Sequence, residues 1–342
     1  MLLILQPGID RERRQALERA LSQARIEWAE IDRPGIEQGQ LLQLRAGQLA
    51  KIALDEFPGV ARVITTKKPY VRALRLPGEP RSVVHVGEHS IGGGELTLIA
   101  GPCAVEPDQD WDGLAQQIKR CGAHLLRGGG FKPRSSPYDF QGLGAEGLVR
   151  LADAGRKANL PIVTEAVDER SLEAVEAHAQ MIQIGARNMQ NYALLKRAGK
   201  SQLPVLLKRG LAASLDDWLL AAEYLLDAGN ENVVLCERGI RTFSDHSRFT
   251  LDLSVLPRVQ ELSHLPVIVD PSHATGRRSS VAPLAKAGAA AGADGIMVEV
   301  HPEPSAALCD GAQALTPSDF ERLAVQLRAL ASVRDAADEV LR

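Results

Sequence analysis

Aromatic residues are scarce, 4% of the 342-residue chain, so the core must be built from Leu, Val, Ile and Ala. Basic residues are not in excess. Forty Lys and Arg against 43 Asp and Glu leave a net charge of -3, which excludes a general nucleic-acid binder, a role that needs a basic face. No apolar run approaches the roughly 20 residues that cross a bilayer, so no membrane partner is expected. The four cysteines, Cys103, Cys121, Cys236 and Cys309, lack short paired spacing, and no signal-peptide pattern is present. Together these point to a reducing cytoplasm, with free thiols or a metal ligand in place of disulfides. Dinucleotide and Walker glycine fingerprints are missing as well, which counts against an open doubly wound sheet.

What the chain does have is two patterns in succession. Residues 1–75 alternate short apolar segments (1–5, 26–31, 41–44, 60–65) with helical stretches at 11–24 and 48–57. That order describes a small ferredoxin-like α+β domain of the split βαβ kind. With no cluster of reactive side chains, it is expected to bind or to pack instead of catalysing. Residues 76–95, with Pro77, Gly78, Pro80 and Gly92-Gly93-Gly94, read as a linker with room for a short hairpin.

From 96 to 342 the pattern is α/β. Eight near-continuously apolar runs, at 96–100, 124–126, 161–164, 181–184, 204–207, 233–236, 266–269 and 295–298, look like buried parallel strands. They recur about every 20–37 residues with amphipathic stretches between them, as a (β/α)8 TIM barrel requires. The clearest helices are 111–121, 146–157, 215–226 and 281–292, with 317–341 closing the ring.

A barrel carries its chemistry just past the C-terminal ends of its strands. In strand order those positions hold Gly101-Pro102-Cys103, Arg127, Glu165, Arg187, Lys208-Arg209, Glu237-Arg238, Asp270-Pro271-Ser272-His273 and Glu299-Val300-His301. After Arg127 comes a loop loosened by Gly128, Gly129 and Gly130 and stiffened by Pro133 and Pro137, carrying Lys132, Arg134, Ser135 and Ser136. Glycines let a backbone approach a ligand, and Arg and Lys grip carboxylate or phosphate oxygens.

The rim residues fall into two sets. Arg127, Lys132, Arg134, Arg187, Lys208, Arg209 and Arg238 form a cationic crown wide enough for two anionic small molecules. Unliganded, that crown is expected to repel itself, and low salt to strengthen binding. Cys103, His273 and Glu299 offer ligands for a divalent transition metal, and Asp310 joins them if the loop after the last strand folds back over the mouth. Cys121 and Cys236 read as packing residues; Cys309 stays open.

These segments carry a resemblance. Gly101-Pro102-Cys103-Ala104-Val105-Glu106, the 127–144 loop, Gln183-Ile184-Gly185-Ala186-Arg187-Asn188, Leu206-Leu207-Lys208-Arg209-Gly210, the 236–243 segment, Asp270-Pro271-Ser272-His273 and Met297-Val298-Glu299-Val300-His301-Pro302 resemble the 3-deoxy-D-arabino-heptulosonate 7-phosphate (DAHP) synthases of class I, beta type. The resemblance spans about residues 96–325. It implies condensation of phosphoenolpyruvate with erythrose 4-phosphate, the first step of the shikimate pathway toward chorismate and the aromatic amino acids. It also implies one divalent metal (Mn, Fe, Co, Zn or similar) on Cys103, His273, Glu299 and Asp310. Arg127, Lys132, Arg187, Lys208 and Arg238 match the phosphoenolpyruvate-holding residues, and Arg134, Ser135 and Ser136 the element that takes the sugar phosphate.

Lys132 is the first choice for moving a proton, with Arg127 and Arg134 expected to lower its pKa; Glu165, Asp270 and His301 are possible partners. Some relatives carry a ferredoxin-like, ACT-like domain that binds tyrosine or phenylalanine, and Lys68-Pro69-Tyr70 resembles its junction, although residues 33–47 depart from the glycine-rich strands expected there. Feedback inhibition by an aromatic amino acid and a homo-oligomeric, tetrameric assembly follow from the same resemblance. Two rival readings are a 3-deoxy-octulosonate 8-phosphate synthase using arabinose 5-phosphate, and a non-catalytic aromatic amino acid sensor or scaffold. Lys132-Pro133-Arg134-Ser135 opposes the first and the complete ligand set the second.

Overall fold

The computed structural model describes every residue except 32, 34, 35, 37–39, 47–52, 135, 341 and 342. The chain divides into two compact units, Met1–Arg72 and Ala73–Arg342.

In the first unit, β1 (Leu2–Leu5) is followed by helix α1 (Arg11–Gln23), β2 (Glu27–Glu30), β3 (Leu41–Ala46) and β4 (Val60–Ile64). The sheet runs β2-β3-β1-β4, antiparallel throughout, which is the strand order of a ferredoxin-like fold. Helix α1 starts where the Asp10 carboxylate accepts the Arg13 N–H at 2.8 Å, satisfying one of the four free donors of its first turn. It buries Leu17 and Leu21 against Leu3, Leu5, Leu42 and Leu44 of the sheet. Of the helix expected at 48–57, residues 48–52 lie outside the described residues, and Leu54–Glu56 forms a single 3-10 turn.

The second unit opens with a hairpin, β5 (Val84–Val86) and β6 (His89–Ile91), within the segment expected as a linker. Eight parallel strands then alternate with helices. In order they are β7 (Thr97–Gly101), α2 (Trp111–Arg120), β8 (Leu125–Arg127), α3 (Ala145–Ala158), β9 (Ile162–Ala166), α4 (Glu169–His178), β10 (Met181–Ile184), α5 (Tyr192–Ala198), β11 (Val205–Lys208) and α6 (Leu215–Asp227). They continue as β12 (Val233–Glu237), α7 (Val255–Leu262), β13 (Val267–Val269), the short α8 (Pro271–Thr275), α9 (Arg278–Ala290), β14 (Gly295–Glu299) and α10 (Pro317–Val340). The barrel closes where β14 pairs with β7, from Gly295↔Thr97 to Glu299↔Gly101. Each of the eight expected runs is a barrel strand. Helices α4, α5 and α7 occupy the intervals where the alternating pattern expects a helix but where none was among the clearest in sequence, and the short α8 is an addition between β13 and α9. No helix among the described residues is long and apolar enough to cross a membrane.

Inside the barrel, Ile99, Leu125, Val163, Met181, Leu206, Val234, Ile268 and Met297 form one packed cluster, and Val84, Val86 and Ile91 of the hairpin belong to it. The hairpin is held at the N-terminal end of the strands, where Thr97 Oγ1 donates to the Ser90 carbonyl at 2.7 Å. Apolar packing therefore fills that end, and the polar residues gather at the other.

Candidate active site

The sequence Asp270-Pro271-Ser272-His273 builds its own corner. Asp270 follows β13 directly and caps α8, its Oδ1 accepting the His273 N–H at 3.0 Å, while Pro271 occupies the first helical position, where a missing N–H costs nothing. The other Asp270 oxygen, Oδ2, lies 2.7 Å from His273 Nδ1 and 2.6 Å from Lys208 Nζ. Burial would raise the Asp270 pKa, but the Lys208 ammonium, the hydrogen bond with His273 and the Arg127 charge outweigh it and hold it well below the carboxylate range. Burial lowers His273 to about 4 against the pull of Asp270 and Glu299, so the ring is neutral near pH 7. With Nδ1 turned to Asp270, Nε2 is free to act as a ligand.

Three other donors surround that nitrogen. Glu299 Oε1 is 3.1 Å and Cys103 Sγ 3.9 Å from His273 Nε2, and Asp310 Oδ2 is 2.9 Å from Cys103 Sγ. Ligand atoms of Cys103, His273, Glu299 and Asp310 all lie within 4.8 Å of one another. Thus the loop after β14 does fold back over the mouth, with Asp310 in the left-handed region at φ 54°. One thiol, one neutral imidazole and two carboxylates at this separation, with the imidazole oriented by a third carboxylate, Asp270, fit a divalent transition metal. Cys103 itself is set by Gly101, whose φ of +151° and approach to the Arg127 carbonyl leave no room for a side chain.

Lys132 Nζ sits 2.5 Å from Cys103 Sγ and 3.2 Å from Asp310 Oδ2. Burial works against its ammonium, but Cys103, Glu299 and Asp310 outweigh burial and the Lys132 pKa is raised. This corrects the expected lowering: the carboxylates of Glu299 and Asp310, remote in sequence, act on Lys132, and Arg134 turns away to Asp139 at 2.9 Å. Burial raises Asp310 too, yet the Lys132 ammonium and the hydrogen bonds from Cys103 and Lys132 bring it below its usual range.

The cationic crown is partly neutralised from within. Arg127 Nη1 donates to Glu299 at 2.9 Å and Lys208 pairs with Asp270, so the expected self-repulsion is countered by one ligand carboxylate and by the carboxylate that orients His273. Arg209 does not belong to the crown: it is buried between Glu237 at 3.0 Å and Asp252 at 2.9 Å, and its Nε donates to the Ala213 carbonyl. In contrast, Arg127 Nε, Arg238 Nη1 and Arg134 Nη1 are buried N–H groups with no hydrogen-bond partner among the described residues. Such donors are costly to bury and point to an absent acceptor. Beside Arg127 a cavity runs between Lys132, Glu165 and Gln183 down to Cys103, and Gln183 Nε2 donates to Glu165 at 3.0 Å. Arg187 lies on the 3-10 turn Ala186–Asn188 after β10. Ser136 Oγ accepts the Tyr138 N–H at 3.3 Å, and Ser135 lies outside the described residues. His301 is turned to Glu106, 3.4 Å away, instead of the ligand cluster.

Gln313 escaped sequence reading. Its amide donates to Glu299 Oε2 at 2.7 Å, leaving Oε1 to Arg127 and His273. It follows Asp310 in a single 3-10 turn, which has no periodicity to betray it. Cys309 packs with Cys103 and Ala104, and Cys121 and Cys236 are buried packing residues as expected.

A family model described as the DAHP synthetase I family matches residues 73–335. Over 279 residues, 82% of each protein, the chain is 47% identical to phospho-2-dehydro-3-deoxyheptonate aldolase of Thermotoga maritima. It is 31% identical over 267 residues to 2-dehydro-3-deoxyphosphooctonate aldolase of Syntrophotalea carbinolica, covering 72% of this chain and 95% of that one. The crystal structure of the Thermotoga maritima DAHP synthase is similar at a TM-score of 0.77 and 40% identity, covering 97% of both chains.

Proposed function

Because this chain belongs to the DAHP synthetase I family, we infer that it is an enzyme condensing phosphoenolpyruvate with erythrose 4-phosphate to 3-deoxy-D-arabino-heptulosonate 7-phosphate and phosphate. The observation that carries the assignment to this site is the pair of buried guanidinium N–H groups without a hydrogen-bond partner among the described residues, Arg127 Nε and Arg238 Nη1, on the rim that holds the Cys-His-Glu-Asp cluster.

Arg127, Lys132, Arg187, Lys208 and Arg238 hold the carboxylate and phosphate of phosphoenolpyruvate. Arg134 with Ser135 and Ser136 takes the phosphate of the sugar. Cys103, His273, Glu299 and Asp310 would hold one divalent metal, of the Mn, Fe, Co or Zn kind. When bound, such an ion supplies Lewis-acid polarisation of the aldehyde. Fixing both anions brings the enol carbon against the aldehyde carbon, so orientation provides much of the rate.

Carbon–carbon bond formation turns the aldehyde oxygen into an alkoxide and leaves a cationic centre at the former enol carbon. The Lys132 ammonium, kept protonated by Glu299 and Asp310, gives the alkoxide its proton. Water adds at the cationic centre with Glu165 accepting its proton, and the new hydroxyl collapses to the ketone as the C–O bond to phosphate breaks, its proton leaving with the phosphate. Asp270 holds His273 and Lys208 in register throughout.

The same reading makes residues 1–75 a regulatory domain answering to tyrosine or phenylalanine, 76–95 a connector and 96–342 the catalytic barrel, in a cytoplasmic homo-oligomer, a tetramer. The ferredoxin-like sheet order of the first unit supports the regulatory part.

Phosphate release from phosphoenolpyruvate tests the function, with erythrose 4-phosphate or arabinose 5-phosphate, each with and without chelator. Metal-dependent release with the four-carbon sugar alone is expected. Release with the five-carbon sugar alone would move the chain to the octulosonate reaction, and no release with either would revive the sensor reading.

A further inference from the structure

Glu106 is buried, yet no Lys or Arg pairs with it among the described residues. Its two oxygens are both in use. Oε1 accepts the Leu308 N–H at 2.9 Å, and Oε2 lies 3.4 Å from His301 Nε2. The His301 Nδ1 accepts the Glu303 N–H at 3.1 Å, which leaves Nε2 to carry the proton and donate to Glu106.

Glu106 stands three residues after Cys103, on the loop leaving β7. Its partners stand on the loop leaving β14: Leu308 is two residues before Asp310, and His301 is at the start of that loop. The first loop is rigid, since Val105 N–H donates to the Gly129 carbonyl at 2.8 Å and Gly129 N–H to the Cys103 carbonyl at 3.2 Å. The second has no strand pairing between 302 and 310, and it ends with Asp310 in a left-handed conformation that an L-residue adopts at a cost.

We infer that Glu106 is a positioning residue for the metal site. Its carboxylate staples the Asp310 loop to the Cys103 loop and so fixes the spacing between two of the four ligands. The inference rests on the metal reading proposed above. Glu106 touches neither the cluster nor the substrates; it acts through Leu308 and His301.

The test is Zn2+ affinity of the purified full chain, measured by competition with a chromophoric chelator, for the wild type, Glu106→Ala, Glu106→Gln and Cys103→Ala. Phosphoenolpyruvate binding to the metal-stripped proteins is measured alongside. Glu106→Ala is expected to weaken Zn2+ binding about 10- to 100-fold, the usual effect of losing a group that orients a ligand. Phosphoenolpyruvate affinity of the stripped variant should stay at the wild-type value, which general loosening of the barrel would not allow. Glu106→Gln keeps an acceptor for Leu308 N–H and loses the His301 contact, so its loss should be about 3- to 10-fold, one hydrogen bond's worth. That variant also decides the matter if the alanine protein does not fold. Wild-type Zn2+ affinity in both Glu106 variants, with affinity lost in Cys103→Ala, would overturn the positioning role and leave the metal site standing. No difference between wild type and Cys103→Ala would overturn the metal reading and the inference together.

Discussion

A single oxygen of Asp270, Oδ2, lies 2.7 Å from His273 Nδ1 and 2.6 Å from Lys208 Nζ. Through it the metal-type half of the site and the anion-binding half share one buried carboxylate. Asp270→Asn removes the charge that orients both. Its metal affinity and kcat are each expected to fall about 10- to 100-fold. Chelator titration and initial rates read the two effects, and an unchanged value in both would remove Asp270 from this role.

Cys103→Ala deletes the one soft donor of the cluster. The variant should fold, with wild-type circular dichroism, and release no phosphate with any added divalent metal. Full turnover of chelator-treated Cys103→Ala would sink the metal assignment.

Arg238→Ala removes a guanidinium whose Nη1 has no partner among the described residues. If that group holds phosphoenolpyruvate, as proposed, its loss should raise the KM for phosphoenolpyruvate about 10- to 100-fold, the value of a charge-assisted hydrogen bond. Stability should change little. The wild-type KM should also rise with ionic strength.

Arg209→Ala offers the contrast. Arg209 joins Glu237 and Asp252, so its removal leaves Glu237 buried with its charge uncompensated. Unfolding in denaturant should show a loss of about 3–5 kcal/mol. A raised KM with unchanged stability would return Arg209 to the crown.

Tyrosine or phenylalanine should lower the rate of phosphate release if residues 1–75 regulate the barrel. Rates across a concentration series of each amino acid, flat for both, would leave that domain a structural or assembly role.

The barrel was legible because buried parallel strands are apolar on both faces, which writes each one as an uninterrupted run such as 233–236. The rim was legible for a related reason: a polar residue at the end of such a run has only the barrel mouth to occupy. Pairing was not legible. Arg127 and Arg134 flank Lys132 in sequence, but in space its neighbours are Cys103 and Asp310, and only closure of the barrel brings those together. Arg209 and Arg238 read alike as strand-end cations. One is consumed by Glu237 and Asp252, and the other is left with a free donor. Glu106 and Gln313 act across gaps of 202 and 14 residues, with no periodic signal to mark either.

The hairpin of β5 and β6 joins the core cluster at the N-terminal end of the strands, so the barrel is a vessel with one opening. Arg127 and Lys208 lie deep in it, each 4% exposed, whereas Arg134 is nearer the surface. If the deep cations hold one substrate and Arg134 the other, as proposed, traffic is last in, first out: the deep substrate arrives before the one at Arg134, and the second arrival locks in the first.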